Sequence, residues 1–461
     1  MENSLQNKTF AIHTLGCKVN ACESEAIREQ LLGCGALEVP FGEPADIAIV
    51  NTCTVTNIAD RKSRQMLHRA RTVSPNCLIL ATGCYVQNNV KTEADESVDI
   101  FVGNKRKGEI AQILCEVMKR VAGGEKAPFY YIGEDTAATA FEDLPPVHAG
   151  VRTRAFLKIQ DGCNQFCSYC IIPFARGRIC SRSETSVLTE VCGLAAEGVS
   201  EVVLNGIHLS SYGLETRSVS EQASLTVNEG ELPLLSLLRK VNAIEGIKRI
   251  RLGSLEPRAL TEETVQGLAQ IDKLCPQFHL SLQSGCDKTL RAMNRKYTAE
   301  EFAEVVRRLR IHFRNPAITT DIIVGFPQES EEDFQESMVF AKRIGFAQVH
   351  VFPYSRRKGT VADRMSGQLT EAEKKRRAGL LIAATEVTKL SYRKGFLGEK
   401  LSVLFEEKAL IDGNWYYIGY SREYVPVALA AARDVTNCEL TVRGVRLLSD
   451  GTLLAQESVA I

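Results

Sequence analysis

The chain has 461 residues, 44% hydrophobic and 24% charged, with 56 Lys/Arg balancing 56 Asp/Glu. That length suits about three domains of ~150 residues, and zero net charge leaves only local basic patches to hold a nucleic acid. Fifteen cysteines, with no charged-then-apolar leader and no apolar run of ~18 residues, point to metal or redox chemistry in the cytoplasm, not to a secreted disulfide scaffold or a membrane protein.

The first region, 7–120, alternates strand and helix signals. Phe10–Leu15 is an apolar run ending in Gly16-Cys17, and helical spacing follows over Glu23–Leu32, with Gly33 and Gly35 as stops. Ile47–Val50 ends in Asn51-Thr52-Cys53, and Leu78–Ala81 in Thr82-Gly83-Cys84. Helices over Asp60–Arg71 and Glu109–Arg120 and a strand over Val98–Val102 complete a doubly wound, mostly parallel sheet. Residues 121–148 carry Gly-Gly, acidic residues and Pro145-Pro146, and read as a linker or an arm crossing between domains.

Over 149–385 the pattern becomes strand–helix repeats. The expected strands are Ala155–Ile159, Glu201–Asn205, Arg249–Leu252, Phe278–Leu282, Ala317–Val324 and Gln348–Phe352. Helices fall between them, and Ser210–Gly230 is a polar excursion. Six repeats imply an open (β/α)6 barrel with its site at the C-terminal strand ends. Thr370–Lys394 is a charged helical connector, and 391–458 holds five short strands of a small all-β barrel.

Two cysteine constellations stand out. Cys163, Cys167 and Cys170 lie in KIQDGCNQFCSYCIIPFARGR, directly after the first barrel strand. A zinc site wants a fourth protein ligand, and neither a second CxxC nor an HxxxH follows. Three thiolates can instead hold three irons of a [4Fe–4S] cluster and leave the fourth open. Cys17, Cys53 and Cys84 each stand just past a strand of the first sheet, where parallel sheets form their ligand crevice. Buried cysteines are common, but three at one relative position form a second candidate cluster site. Cys22, Cys34, Cys77, Cys115, Cys180, Cys192, Cys275, Cys286 and Cys438 lack ligand spacing, with Cys22 the one candidate for a spare ligand.

The CxxxCxxC spacing resembles the radical S-adenosylmethionine (SAM) superfamily. Thr14-Leu15-Gly16-Cys17-Lys18-Val19-Asn20, Asn51-Thr52-Cys53-Thr54-Val55 and Gly83-Cys84-Tyr85-Val86-Gln87 resemble the N-terminal motifs of its methylthiotransferases. The tail is similar to their TRAM domain, a small barrel linked to RNA binding. The resemblance spans nearly the whole chain and implies two [4Fe–4S] clusters. Cys163, Cys167 and Cys170 would bind the SAM cluster, with Tyr169 against the adenine, and Cys17, Cys53 and Cys84 an auxiliary one. It implies that one SAM methylates sulfur at the auxiliary cluster and a second yields the radical that activates the substrate carbon. Leu-Gly-Cys-Lys-Val-Asn is similar to the enzymes that modify N6-threonylcarbamoyladenosine (t6A) at position 37 of tRNA, in the anticodon loop. Those acting on isopentenyladenosine (i6A) usually carry Tyr-Gly-Cys-Gln-Met-Asn, and those acting on a ribosomal-protein aspartate Leu-Gly-Cys-Pro-Lys-Asn. Lys18 and Val19 are therefore the local discriminators. An electron donor such as flavodoxin or ferredoxin is also implied.

Polar residues at barrel strand ends, namely Asn205, Gly206, Ser254, Glu256, Gln283, Ser284 and Asp321, are candidate SAM or substrate contacts, or else cap helices and turns. Gly325-Phe326-Pro327 reads as an ordinary turn. Arg152, Arg154, Lys158, Arg176, Arg178 and Arg182 surround the central cysteines, and Arg356, Arg357, Lys358, Arg364 and Lys374–Arg377 crowd the barrel end. Such patches bind phosphate. Residues 391–461 hold eight Lys/Arg against nine Asp/Glu, so RNA contact there would rest on Arg393, Lys394, Trp415 and Tyr416. The competing class is a non-catalytic Fe–S RNA-binding protein, which would gain nothing from an open iron.

Overall fold

A computed structural model describes residues 4–89, 95–133, 140–146, 153–225 and 230–458. The N-terminal sheet comprises β1 (Thr9–Thr14), β2 (Leu37–Glu38), β3 (Ile47–Thr52), β4 (Leu78–Gly83), β5 (Ile100–Val102) and β6 (Phe129–Tyr131). Their order is β2-β1-β3-β4-β5-β6, and every pairing is parallel. Alternation along β3 sends Ile47 and Ile49 to one face and Ala48 and Val50 to the other. The first face packs against helices Lys18–Gly33 and Ile110–Ala122 through Ile27, Leu31, Ile113 and Val117. The second takes Leu67 and Ala70 of helix Asn57–Val73. A strand buried on both faces must be apolar throughout, which explains the run Ile47–Val50.

The arm differs from its expectation at one end. Phe129–Tyr131, inside the stretch read as a linker, pairs with β5 and completes the sheet. Three residues with Phe and Tyr flanked by Pro and Gly are too short to announce a strand by periodicity. Farther on, Glu142 accepts a hydrogen bond from the Gly108 N–H (2.7 Å), and Asp143 pairs with Arg182 (2.8 Å), so the arm lies against both neighbours.

The central barrel comprises β7 (Arg154–Asp161), the short β8 (Cys180–Ser181), β9 (Glu201–Gly206), β10 (Arg249–Leu252), β11 (Gln277–Gln283), β12 (Ala317–Val324) and β13 (Gln348–Pro353). The six main strands are parallel, while β8 folds back antiparallel on β7. Regular ladders join β10-β9-β7-β8 and β11-β12-β13. Between β10 and β11 only the bridges Ile250–Leu274 and Leu255–Leu280 connect the two halves. Among the described residues no ladder joins β13 to β7 or β8, so the barrel is open, with helices around an outer core of Leu, Ile, Val and Phe.

The C-terminal strands β14 (Lys400–Ile411), β15 (Asn414–Ser421), β16 (Pro426–Leu429), β17 (Glu439–Leu447) and β18 (Leu453–Glu457) close into a barrel in the order β14-β15-β16-β18-β17. It docks on the N-terminal ends of the central strands. Arg249, the first residue of β10, donates to the Ser402 and Tyr420 carbonyls at 2.9 Å each, and Arg251 to the Ser421 carbonyl at 2.8 Å. Arg154, which opens β7, pairs with Glu406 and lies over the Tyr420 ring. Among the described residues no helix is long and apolar enough to cross a membrane.

A candidate metal centre between the first two domains

Cys17, Cys53 and Cys84 follow β1, β3 and β4, three neighbouring strands whose ends the register keeps level: Thr14 faces Asn51, and Thr52 faces Gly83. A Cβ added to Gly16 would sit 3.0 Å from Cys53 Sγ, so the Cys17 loop touches Cys53 directly. Gly83 has φ +100°, and a Cβ there would drive into the backbone of Thr52. Only glycine permits that sharp exit from β4 into Cys84. Burial, together with the charges of Cys84 and Cys17, pushes the Cys53 thiol up to about 11. Such a set is stable as thiolates only against a cationic partner.

Cys163, Cys167 and Cys170 lie in the loop between β7 and β8. Pairing of Asp161 with Cys180 pinches the loop base, and the Cys163 N–H donates to the Gly177 carbonyl at 3.1 Å. The Gln165 N–H donates to Cys163 Sγ at 3.4 Å and the Arg295 Nη1 to Cys167 Sγ at 3.4 Å. Burial raises the Cys163 thiol, and burial with the Cys167 charge pushes Cys170 up to about 12. The Cys84 charge reaches Cys170 as well. The two thiol sets, from separate domains, thus lie within electrostatic reach of one another.

One buried network ties them together. Asn104 Nδ2 donates to Cys84 Sγ (3.7 Å) and to the Ala175 carbonyl (2.8 Å) in the loop that carries the second set. Asn20 Oδ1 accepts from Cys17 Sγ at 3.7 Å and from Arg176 Nη2 at 2.6 Å. Arg176 also reaches Glu23 (2.8 Å) and Asp161 (3.2 Å), while Lys158 holds Glu23 (2.8 Å) and Asp161 (2.6 Å). Lys107 completes the shell around Glu23. Three cations therefore meet two carboxylates by direct contact. Burial opposes ionisation of Glu23, but Arg176, Lys107 and Lys158 hold it well below the usual carboxylate range. Arg176 lies against the Cys84 charge, and its buried Nε has no hydrogen-bond partner among the described residues. An anionic iron–sulfur group held by these thiolates answers the charge surplus and the orphaned donor together, so the residues present fit it.

Other expected contacts are distributed around the centre. Tyr169 packs beside Met293, Phe326 and Tyr354, so Phe326 belongs to a buried aromatic group and is more than a turn residue. Glu256 is 3% exposed and pairs with Arg295 at 2.7 Å, next to the contact with Cys167. Burial opposes its ionisation, yet Arg295 and His208 bring its pKa down to about 2. Asn205 is buried and bonds the Val203 carbonyl, Gly206 packs on Gln160, Ser254 is exposed, and Gln283 sits at the end of β11 with φ +73°.

The basic residues require corrections. Arg176, Lys158 and Arg182 are buried and paired, so these three are unavailable to RNA, while Arg178 of the same run stays exposed. Arg357 is likewise buried and bonds Asp60, Asn57 and Thr54 across the domain boundary. Lys374 and Arg377 are buried, whereas Lys375 and Arg376 are exposed, as helical spacing dictates. Tyr416 is buried and unavailable for stacking, while Trp415 is 67% exposed. Arg178, Arg356, Lys358 and Lys394 are exposed, Arg393 is half-buried on the Gly451 carbonyl, and Arg152 lies outside the described residues. Cys22 donates to the Phe156 carbonyl at 3.3 Å, which occupies its thiol. Sequence reasoning missed Glu23, Lys107, Asn104 and Arg295. Asn20 stood inside a quoted motif and was recoverable; the others carry no local signal.

Comparison with known proteins follows this division. Residues 9–103 match the Uncharacterized protein family UPF0004 and residues 157–341 the Radical SAM superfamily. Threonylcarbamoyladenosine tRNA methylthiotransferase MtaB of Bacillus subtilis is 37% identical over 431 residues, covering 93% of this chain and 91% of the relative. A tRNA-2-methylthio-N(6)-dimethylallyladenosine synthase of Moorella thermoacetica is 34% identical, covering 88% of each. The solved radical SAM methyltransferase TsrM from Kitasatospora setae shares the fold at 14% identity, with TM-score 0.52 over 75% of this chain and 73% of that one.

Proposed function

This chain belongs to the radical-SAM methylthiotransferase family, and on that premise we propose that it converts t6A at position 37 of tRNA to 2-methylthio-t6A. In this reading Cys163, Cys167 and Cys170 hold the SAM cluster, Cys17, Cys53 and Cys84 hold an auxiliary cluster, and two SAM molecules are used. The observation that carries it is the tie between the thiol sets through Asn104, Asn20 and Arg176. When bound, the [4Fe–4S] clusters and SAM supply the electron, the radical and the methylthio sulfur. A primary carbon radical attacks any neighbouring C–H bond, so the acceptor carbon and the sulfur must already be in place when it forms. The interdomain network supports such fixed spacing, which is catalysis by proximity. The polypeptide's share is orientation and electrostatics: Arg295 holds Cys167 and Glu256 in one unit, and Arg176 sets a buried positive charge beside Cys84.

Lys18, Val19 and the name of the Bacillus relative support t6A as the base. Exposed Arg178, Arg356 and Lys358 are the proposed phosphate contacts, and a flavodoxin or ferredoxin the proposed electron donor. Mass spectrometry of tRNA nucleosides from cells lacking the gene tests the substrate. The expected result is loss of 2-methylthio-t6A with 2-methylthio-i6A intact. Loss of the i6A product instead would transfer the assignment to the activity named for the Moorella relative.

A further inference from the structure

Three polar side chains on the inner wall of the barrel have no part in the chemistry above. Along β11 to β13 the residues Phe278, Leu280, Ile318, Ile322, Val349 and Val351 pack into the outer core. Alternation turns His279, Asp321 and His350 to the opposite, inner face. The register sets Asp321 beside His350. His279 Nε2 lies 3.4 Å from Asp321 Oδ2, and its Nδ1 lies 3.0 Å from Thr319 Oγ1, which fixes the ring. Ring centroids of His279 and His350 are 6.0 Å apart. His350 is exposed. Partial burial of the ring lowers its pKa, Asp321 opposes that, and the charges of His279 and then Lys18 lower it further, so the Lys18 charge is felt at His350. Lys18 is exposed and follows Cys17 directly.

Two occupants suit such a group, and spacing separates them. Donors to a single zinc-like ion stand ~2.1 Å from it and hence roughly 3.4 Å from each other. Here the donor atoms spread to 4.8 Å, which fits hydrogen bonds to an extended polar group better than one ion. On the proposed function the reacting base is held between the auxiliary thiols and the barrel lumen, and this group lines the lumen side. We propose that Lys18, His350, His279 and Asp321 form the specificity pocket for the threonylcarbamoyl substituent of the base. Lys18 and His350 face its carboxylate, and Asp321, oriented by His279, accepts from its N–H or hydroxyl. Phe352, exposed and two residues past His350 on the same face, offers a ring on which the adenine stacks. The proposal rests on the t6A reading. It gives Lys18 a physical role, because an apolar isopentenyl group cannot satisfy these polar partners and leaves them unpaired.

The test is competition between equimolar anticodon stem-loops bearing t6A37 and i6A37, methylthiolated by the reconstituted full-length enzyme. Wild type favours the t6A RNA. His350→Phe and Lys18→Met each lower that preference by about tenfold or more, mainly through a higher KM for the t6A RNA, and Lys18→Arg restores it. An unchanged preference in His350→Phe, with iron content equal to wild type, overturns the pocket even if Lys18→Met loses its auxiliary iron. Wild type that ignores t6A RNA overturns the substrate reading itself. Zinc retained at one per chain through chelation, and lost in Asp321→Asn, overturns the pocket in favour of a metal site.

Discussion

The central barrel is gripped at both ends by largely buried cations, and the two grips differ in charge balance. At the N-terminal strand ends Arg154, Arg249 and Arg251 meet Glu201, Glu406 and Glu439, three cations against three carboxylates. Much of that joint consists of guanidinium donors on backbone carbonyls of the C-terminal barrel. At the opposite ends, among the described residues, Lys107, Lys158 and Arg176 pair with two carboxylates, Glu23 and Asp161, and the surplus lies against Cys84. Glu142 is close, but it bonds the Gly108 N–H, and burial raises its pKa. A balanced buried network has no further partner to seek. An unbalanced one costs free energy until an anion completes it. The contrast separates a joint that only holds domains together from one that also builds a site, matching the stability and catalytic faces of (β/α) barrels.

The largest effect should come from the thiols. Cys167→Ala should abolish SAM cleavage to 5′-deoxyadenosine and lower reconstituted iron from about eight per chain toward about four. Persistent cleavage would mean the central motif has been misread. Next, Glu23→Gln removes the hub of the unbalanced network, and breaking a buried pair of this kind costs about 3–5 kcal/mol. Glu439→Gln in the balanced joint, where the side chain is 21% exposed, should cost about 1–2 kcal/mol. Denaturant unfolding compares the two, and equal losses would break the contrast between the grips.

Gly83→Ala forces a side chain into a left-handed turn against Thr52, at about 1–3 kcal/mol. Auxiliary iron should fall while SAM cleavage persists, which iron analysis and product assay read separately. Acid should release the Glu256–Arg295 link beside Cys167. The Glu256 pKa is depressed to about 2, so its contribution is complete above the unfolded value of ~4.3 and disappears as pH falls toward 2. Glu256→Gln should flatten the acid limb of the stability profile between those values; an unaltered limb would dismiss this carboxylate as its source. The smallest effects belong to exposed cations. Arg356→Ala with Lys358→Ala should leave stability unchanged and reduce the salt slope of tRNA binding by roughly 1–2. Lys394→Ala, at the end of the long helix beside the balanced joint, should change it less.

Legibility in the sequence followed locality. The cysteine triplet is a matter of three and two intervening residues, and the dispersed set sits at strand ends that apolar runs already mark. Helices of eight or more residues and strands of four or more announce themselves by period, whereas the short helices Cys84–Asn89, Ile172–Arg176, Val219–Ser224 and Asp287–Ala292 do not. The short strands β2, β6 and β8 do not either, since two or three residues carry no period. Arg176, Lys158 and Arg357 read as a phosphate-binding surface because their neighbours in sequence are basic. They turned inward because their partners come from elsewhere: Arg176 meets Glu23 across 153 residues, and Arg357 meets Asn57 across 300.

Sequence alone determined the six thiols, the two α/β domains and the small terminal barrel, because ligand spacing and hydrophobic period are properties of short segments. Tertiary structure decided which charges are buried, that one buried network joins the two thiol sets, and that Asp321 stands beside His350. Coulomb energy and desolvation depend on distance in space, and helix Lys18–Gly33 brings its carboxylate to the barrel only once both domains have folded.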